Sequence, residues 1–246
     1  AGTFSFFGFG GMSRQHRIAL NDSFNFIQKP STRNGALDLS NTGAVGLVHT
    51  IRIGTKTSLN TIYSTNGTNY REEDNFYNKI NGPLIVTRNN KFREASAILS
   101  IVGTHKMNKK NVFKIGFNTN GKNFFLNQLE AVSNILRYKV KEEGSTRLSQ
   151  YFMQWKWDPS NKIRFQMGIH GQYFLLNKCS AIEPRIGVRV QTGKKQFFSM
   201  GYGMHSQIQP LGNCFARIKV GNDSVQPNKN LDFSKAQHFV AGYSFQ

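Results

Sequence analysis

Guanidinium, carboxylate and imidazole side chains gather at a few places in this chain, and their spacing decides what each can do. Glu183, Arg185 and Arg189 recur at even intervals. On an extended strand they share one face and offer a charge ladder to neighbouring strands, suited to ion pairing or ligand contact. His170 and Gln172 share a face by the same logic. No second His, Cys or carboxylate stands at ligand spacing, so a solvated histidine is expected rather than a metal ligand. His205, Gln207 and Gln209 lead into a polar segment, where a hydrogen-bonded rim or a ligand contact is expected. Glu72, Glu73 and Asp74 are contiguous in an expected loop, which gives no defined acid–base pair and at most a weak cation site. "GFGG" at 8–11 lacks the Lys-Ser/Thr ending of a phosphate loop. The Asn-x-Ser/Thr triplets at Asn21, Asn66 and Asn222 are assigned no role. No catalytic constellation, cofactor or metal site emerges, and an enzyme is not expected.

The elements that must hold these residues are strands. In "AIEPRIGVRVQ" Ile182, Pro184, Ile186, Val188 and Val190 alternate with Glu183, Arg185 and Arg189. In "KIRFQMGIHGQYFL" Ile163, Phe165, Met167, Ile169, Tyr173 and Leu175 oppose Lys162, Arg164, Gln166, His170 and Gln172. "RLSQYFMQWKWD" sets Tyr151, Met153, Trp155 and Trp157 against Gln150, Gln154, Lys156 and Asp158, with Phe152 as the exception. Further alternation brings the total to roughly ten strands. Tight turns at 54–57, 108–111, 158–162 and 192–195 carry Gly, Asn, Asp or Pro. Between them come polar segments at 15–42, 67–91, 119–147 and 208–235, with one short connection at 176–180. The pattern predicts an up-and-down antiparallel meander, short turns at one end and long loops at the other, with a short amphipathic helix within 127–143.

Composition narrows the class. Among 246 residues, 21 are Phe, yet mean hydropathy is −0.45, so the aromatics sit among polar residues. No window approaches the roughly 18 apolar residues of a membrane helix. The formal charge of +19 would suit nucleic acid, but the cations are spread along the chain and concentrate in turns, and no nucleic-acid motif spacing occurs. Cys179 and Cys214 are too few for a disulfide scaffold or zinc site; one bridge and two free thiols both remain open. The chain starts without a charged n-region or apolar h-region and stops within a strand, so it is expected to be a piece of a longer polypeptide.

A strand of about 14 residues, tilted near 45°, spans about 30 Å. Lipid offers backbone amides no partner, so a sheet crosses it only as a closed barrel, apolar outside and polar within. The expected fold is an all-β transmembrane β-barrel, about ten strands of which lie here. Trp155, Trp157, Ile163, Phe165, Ile169, Ile186, Val188 and Val190 are then lipid-facing. Gln154, Lys156, Arg164, His170, Gln172, Glu183, Arg185, Arg189, His205 and Gln207 are candidates for lining the lumen and touching a ligand or plug.

The segments "YFMQWKWDPSNKIRFQMGIHGQYFLLN" (151–177), "IEPRIGVRVQTGKKQFFSMGYGMHSQIQPL" (182–211) and "LDFSKAQHFVAGYSF" (231–245) resemble the C-terminal half of the barrel in TonB-dependent outer-membrane receptors. The resemblance is greatest to the group with an N-terminal carboxypeptidase-regulatory-like domain. It implies part of a 22-stranded barrel in the outer membrane of a Gram-negative bacterium, importing a siderophore, glycan or peptide. Its partners would be outer-membrane lipid, the TonB complex through a plug, and a surface lipoprotein or other envelope proteins. No residue here matches the plug or TonB box. The rival readings are a passive porin or structural barrel in a larger envelope complex, and a soluble β-barrel binding protein.

Overall fold

The computed structural model describes residues 2–221 and 223–245, so Asn222 lies outside the described residues. The strands are β1 (Gly2–Arg17), β2 (Asn34–Ile53), β3 (Thr57–Tyr77), β4 (Leu84–Lys106), β5 (Asn111–Val132), β6 (Ile135–Ser160), β7 (Ile163–Phe174), β8 (Cys179–Gln191), β9 (Gln196–Gln207), β10 (Ile218–Val220), β11 (Asp223–Val225) and β12 (Ser234–Phe245). Two short helices, α1 (Ser23–Gln28) and α2 (Leu211–Cys214), lie in connections. β1 to β9 and then β12 pair antiparallel in chain order as one ten-stranded sheet, while β10 and β11 form a separate hairpin. The sheet is open among the described residues, with β1 and β12 as its edges.

Short turns at 54–56, 107–110, 161–162 and 192–195 occupy one end, as the turn residues predict. At the other end, 18–33 and 208–233 are long connections, but the remaining three are short. The expected loops at 67–91 and 119–147 are mostly strand. β3 runs to Tyr77 and β4 begins at Leu84; β5 runs to Val132 and β6 begins at Ile135. The helix expected within 127–143 is instead a β-hairpin. Ser133 and Asn134 both adopt positive φ, 53° and 63°, the requirement of a two-residue turn whose twist matches its strands. Glu72, Glu73 and Asp74 accordingly lie on β3, with Glu72 and Asp74 on one face and Glu73 on the other.

We call inner the face on which segment 208–233 folds, and outer its opposite. Near the turns the outer positions are apolar: Ile51, Leu59, Ile101, Ile115, Met153, Ile169, Ile186 and Met200 lie on successive strands. Farther from the turns the same face becomes polar, with Arg71 and Glu73 on β3, Lys91 and Arg93 on β4, and Lys141, Glu143 and Arg147 on β6. The apolar zone takes roughly ten residues of each long strand, about 33 Å of chain and about 25 Å of height at a 40° tilt. Inner positions show the converse. Near the turns they include Asn60, Lys114, Gln154, Arg164 and Arg189 among apolar residues such as Val102 and Phe152; farther along they include Phe92, Phe124, Leu126 and Val140.

Phe152, the exception to the alternation on β6, faces inward opposite Gly116 of β5. A Cβ at Gly116 would overlap the Phe152 ring, so the ring covers the bare backbone. Phe7 lies against Gly46 and Phe124 against Gly144 in the same way, each pair directly opposed across adjacent strands. In these three pairs an inward aromatic is matched to a partner without a side chain.

Candidate functional site

The inner wall of β7, β8, β9 and β12 gathers most of the charged and imidazole residues singled out from the sequence. The β8–β9 ladder runs only from Arg185 opposite Gly203 to Gln191 opposite Phe197. Beyond it Pro184 has no N–H to give, and the ladder is continued by side chains. Glu183 Oε1 accepts from the Ser206 amide at 2.9 Å, and Gln172 Nε2 donates to the Ser206 carbonyl at 2.9 Å. Gln172 Nε2 also donates to Glu183, and its Oε1 accepts from Gln150 at 3.0 Å. The other Glu183 oxygen faces His170 Nδ1 at 3.0 Å and Arg185 at 2.6 Å. Glu183 is 1 % exposed. A buried carboxylate persists only when its lone pairs are filled, and here four groups fill them.

Glu183, Gln172 and His170 are thus tied into the wall, and the expected ladder of Glu183, Arg185 and Arg189 divides. Arg185 pairs with Glu183, whereas Arg189 lies over the Phe197 ring at 4.2 Å and opposite Arg164. Arg164 donates to both Asp158 oxygens, at 2.8 and 3.3 Å, and Lys156 reaches the same carboxylate at 3.1 Å. His205 packs edge-on against His238 with ring centroids 5.0 Å apart. Gln207 is exposed opposite Ser234 at the start of the long connection. Gln154, Gln166, His170 and Arg185 surround a niche of about 410 Å³ over Gly168 and Gly187. This arrangement supplies donors and acceptors for binding and no nucleophile–base pair.

Segment 208–233 crosses the inner face as a strap. Leu211, Cys214, Phe215 and Phe233 pack onto Phe124, Leu126, Val140, Phe174 and Ala181, forming the buried apolar cluster. Each large side chain so buried contributes about 1.5–3 kcal/mol. A bulge at Lys139 breaks the β5–β6 register, and the Lys139 carbonyl accepts from the Arg217 amide at 2.9 Å. The Arg217 guanidinium reaches Glu142 at 2.8 Å. The strap was not foreseen from the sequence; its signal was the apolar set Ile208, Leu211, Phe215 and Phe233 spaced through the connection. Cys179 and Cys214 are free thiols, Cys179 packing against the cluster that contains Cys214.

The outer residues form an aromatic run near the turns. Phe113 stacks on Trp155, Trp155 on Trp157, and Trp157 on Phe165, with centroids 5.7, 5.6 and 5.4 Å apart. Trp155 Nε1 donates to Asn111 at 3.0 Å. Ile163, Val188 and Val190 lie on the same face, as do Ile169 and Ile186, which are 48 % and 50 % exposed. A hollow of about 920 Å³ is a groove on this outer side where small residues Gly43, Gly67 and Ala95 adjoin, at the boundary between apolar and polar zones. No group of three or more His, Cys, Asp or Glu residues is arranged to hold a metal among the described residues, the Glu72 cluster included. Glu72 instead accepts from Arg88 at 2.8 Å and Asn90 at 2.6 Å.

No family model and no curated protein matches this chain. Among solved structures it is similar to the siderophore receptor PirA from Pseudomonas aeruginosa, with a TM-score of 0.53 and 10% identity over 87% of this chain and 46% of that one. It is likewise similar to the siderophore receptor PirA from Acinetobacter baumannii, with a TM-score of 0.52 and 10% identity over 100% of this chain and 48% of that one. The chain spans about half the length of either receptor. At this identity the likeness is one of fold: an antiparallel up-and-down sheet of barrel type.

Proposed function

We propose that this chain is one part of an outer-membrane β-barrel of the TonB-dependent receptor class, closed by strands outside residues 1–246. The carrying observation is the reversal of polarity along the outer face. Ile115, Met153, Ile169, Ile186 and Met200 form an exposed apolar belt across five successive strands, the kind of contiguous patch that marks a membrane or partner surface. Its height of about 25 Å matches the hydrocarbon band that such barrels cross. The inner wall then encloses water, and the polar strand extensions project from the membrane.

In this reading the protein captures a bulky nutrient and passes it through the barrel by means of a plug and the TonB complex in a Gram-negative envelope. The two similar receptors support a siderophore as the cargo to try first, with glycans and peptides after it. Arg185, His205, His238 and the niche over Gly168 and Gly187 are the proposed contacts on this portion of the wall. The test is uptake of labelled ferric siderophores by cells carrying the whole polypeptide, with and without the proton gradient. Uptake that stops when the gradient collapses supports active import. Uptake that continues favours the passive porin.

A further inference from the structure

The inner wall carries a second charged site, at the turn end, apart from the contacts proposed above. Lys109, Lys110, Lys162, Arg164 and Arg189 line a cavity of about 540 Å³, with Asp158 as its one carboxylate. Asp158 is already engaged by Arg164 and Lys156. Arg164 and Arg189 face each other directly across the β7–β8 pair, a placement of like charges that destabilises a sheet. Arg189 meets a Phe197 ring and no carboxylate among the described residues. Stacking covers the flat face of a guanidinium and leaves its N–H edge available for a bidentate anion.

We infer that this cavity binds an acidic peptide segment of a partner protein, with one carboxylate on Arg189 and another on the turn lysines. Three features favour a peptide over a lone phosphate. The cations are spread over two turns and two strands instead of converging on one point. The volume suits a ligand far larger than a single anion. The Phe197 ring supplies apolar wall for carbon stems, and Arg164 already holds a carboxylate, Asp158, through two hydrogen bonds. Residues 1–246 carry 13 acidic side chains against 32 basic ones, a balance that favours an acidic partner.

The test is fluorescence anisotropy of a labelled decapeptide of alternating Glu and Gly, titrated with the intact polypeptide in neutral detergent, beside the same peptide with Gln for Glu. The Glu peptide is expected to bind and the Gln peptide to fail. Raising salt to about 0.5 M should weaken binding strongly, and Arg189→Gln with Lys162→Gln should weaken it about tenfold. Both side chains are exposed, so the double variant spares the packed wall. Equal binding of the two peptides on the unaltered protein, or no loss in the double variant, overturns the inference. Displacement of the peptide by inorganic phosphate or phosphatidylglycerol vesicles at lower charge concentration overturns it in favour of a phosphate site.

Discussion

The Glu183 carboxylate takes the place of a backbone carbonyl for Ser206, accepting its amide hydrogen at 2.9 Å where the β8–β9 ladder has stopped. Gln172 completes the exchange by donating to the Ser206 carbonyl. Two side chains thereby join strands that Pro184 and the departing end of β9 would leave apart.

That splice makes Glu183 a stability residue. Glu183→Leu leaves the Ser206 amide, the Gln172 amide and Arg185 without their acceptor. It should cost about 2–4 kcal/mol, Arg185 being half-exposed and so contributing less. Glu183→Gln keeps an acceptor oxygen and should cost less than half as much. Urea unfolding in lipid vesicles measures both, and equal midpoints for the two variants would refute the splice.

Gly116 and Phe152 should behave as a coupled pair. Gly116→Ala places a methyl where the Phe152 ring lies and should destabilise by about 1–3 kcal/mol. In a Phe152→Ala background the same change should cost much less. A double-mutant cycle reads the coupling, and simple additivity would show that the ring does not rest on Gly116.

Neighbouring residues on β6 should respond oppositely to charge. Met153 faces out within the apolar belt and Gln154 faces in. Met153→Arg should cost about 2–4 kcal/mol in a bilayer, and Gln154→Arg close to nothing. Comparable losses at both positions would remove the distinction between the faces.

The strap should shield Cys214. The residue is 2 % exposed, and burial pushes its thiol above the ordinary range, with the Cys179 thiolate adding to the effect. Iodoacetamide should label Cys179 faster than Cys214, and Phe233→Ala, which loosens the cluster, should speed Cys214 selectively. Mass spectrometry of labelled peptides reads the two rates; unchanged Cys214 labelling in the variant would mean that Phe233 does not hold the strap down.

Legibility in the sequence followed the environment of each segment. Where one face is uniformly apolar and the other mostly polar, as for Ile163–Tyr173 and Ile182–Val190, alternation is close to strict and the strands are readable. Farther from the turns the outer face is polar and the inner face is partly covered by the strap, so alternation fades while the backbone ladder continues. Residues 127–143 therefore read as a helix, although Ser133-Asn134 forms a hairpin turn. The acidic trio at 72–74 read as a loop for the same reason. Glu183, Arg185 and Arg189 were placed on one face by their spacing, but their division between a buried splice and an exposed cavity depends on Ser206 and Phe197, whose positions come from strand pairing.

The proposed membrane orientation rests on the outer side chains lying in hydrocarbon, and Trp155 and Trp157, the two tryptophans of residues 1–246, report on it once every tryptophan outside these residues is replaced by Phe. With the intact polypeptide reconstituted into vesicles, bromine-bearing acyl chains should quench their fluorescence strongly, while aqueous iodide should quench it little. Strong iodide quenching with no response to brominated lipid would contradict the account.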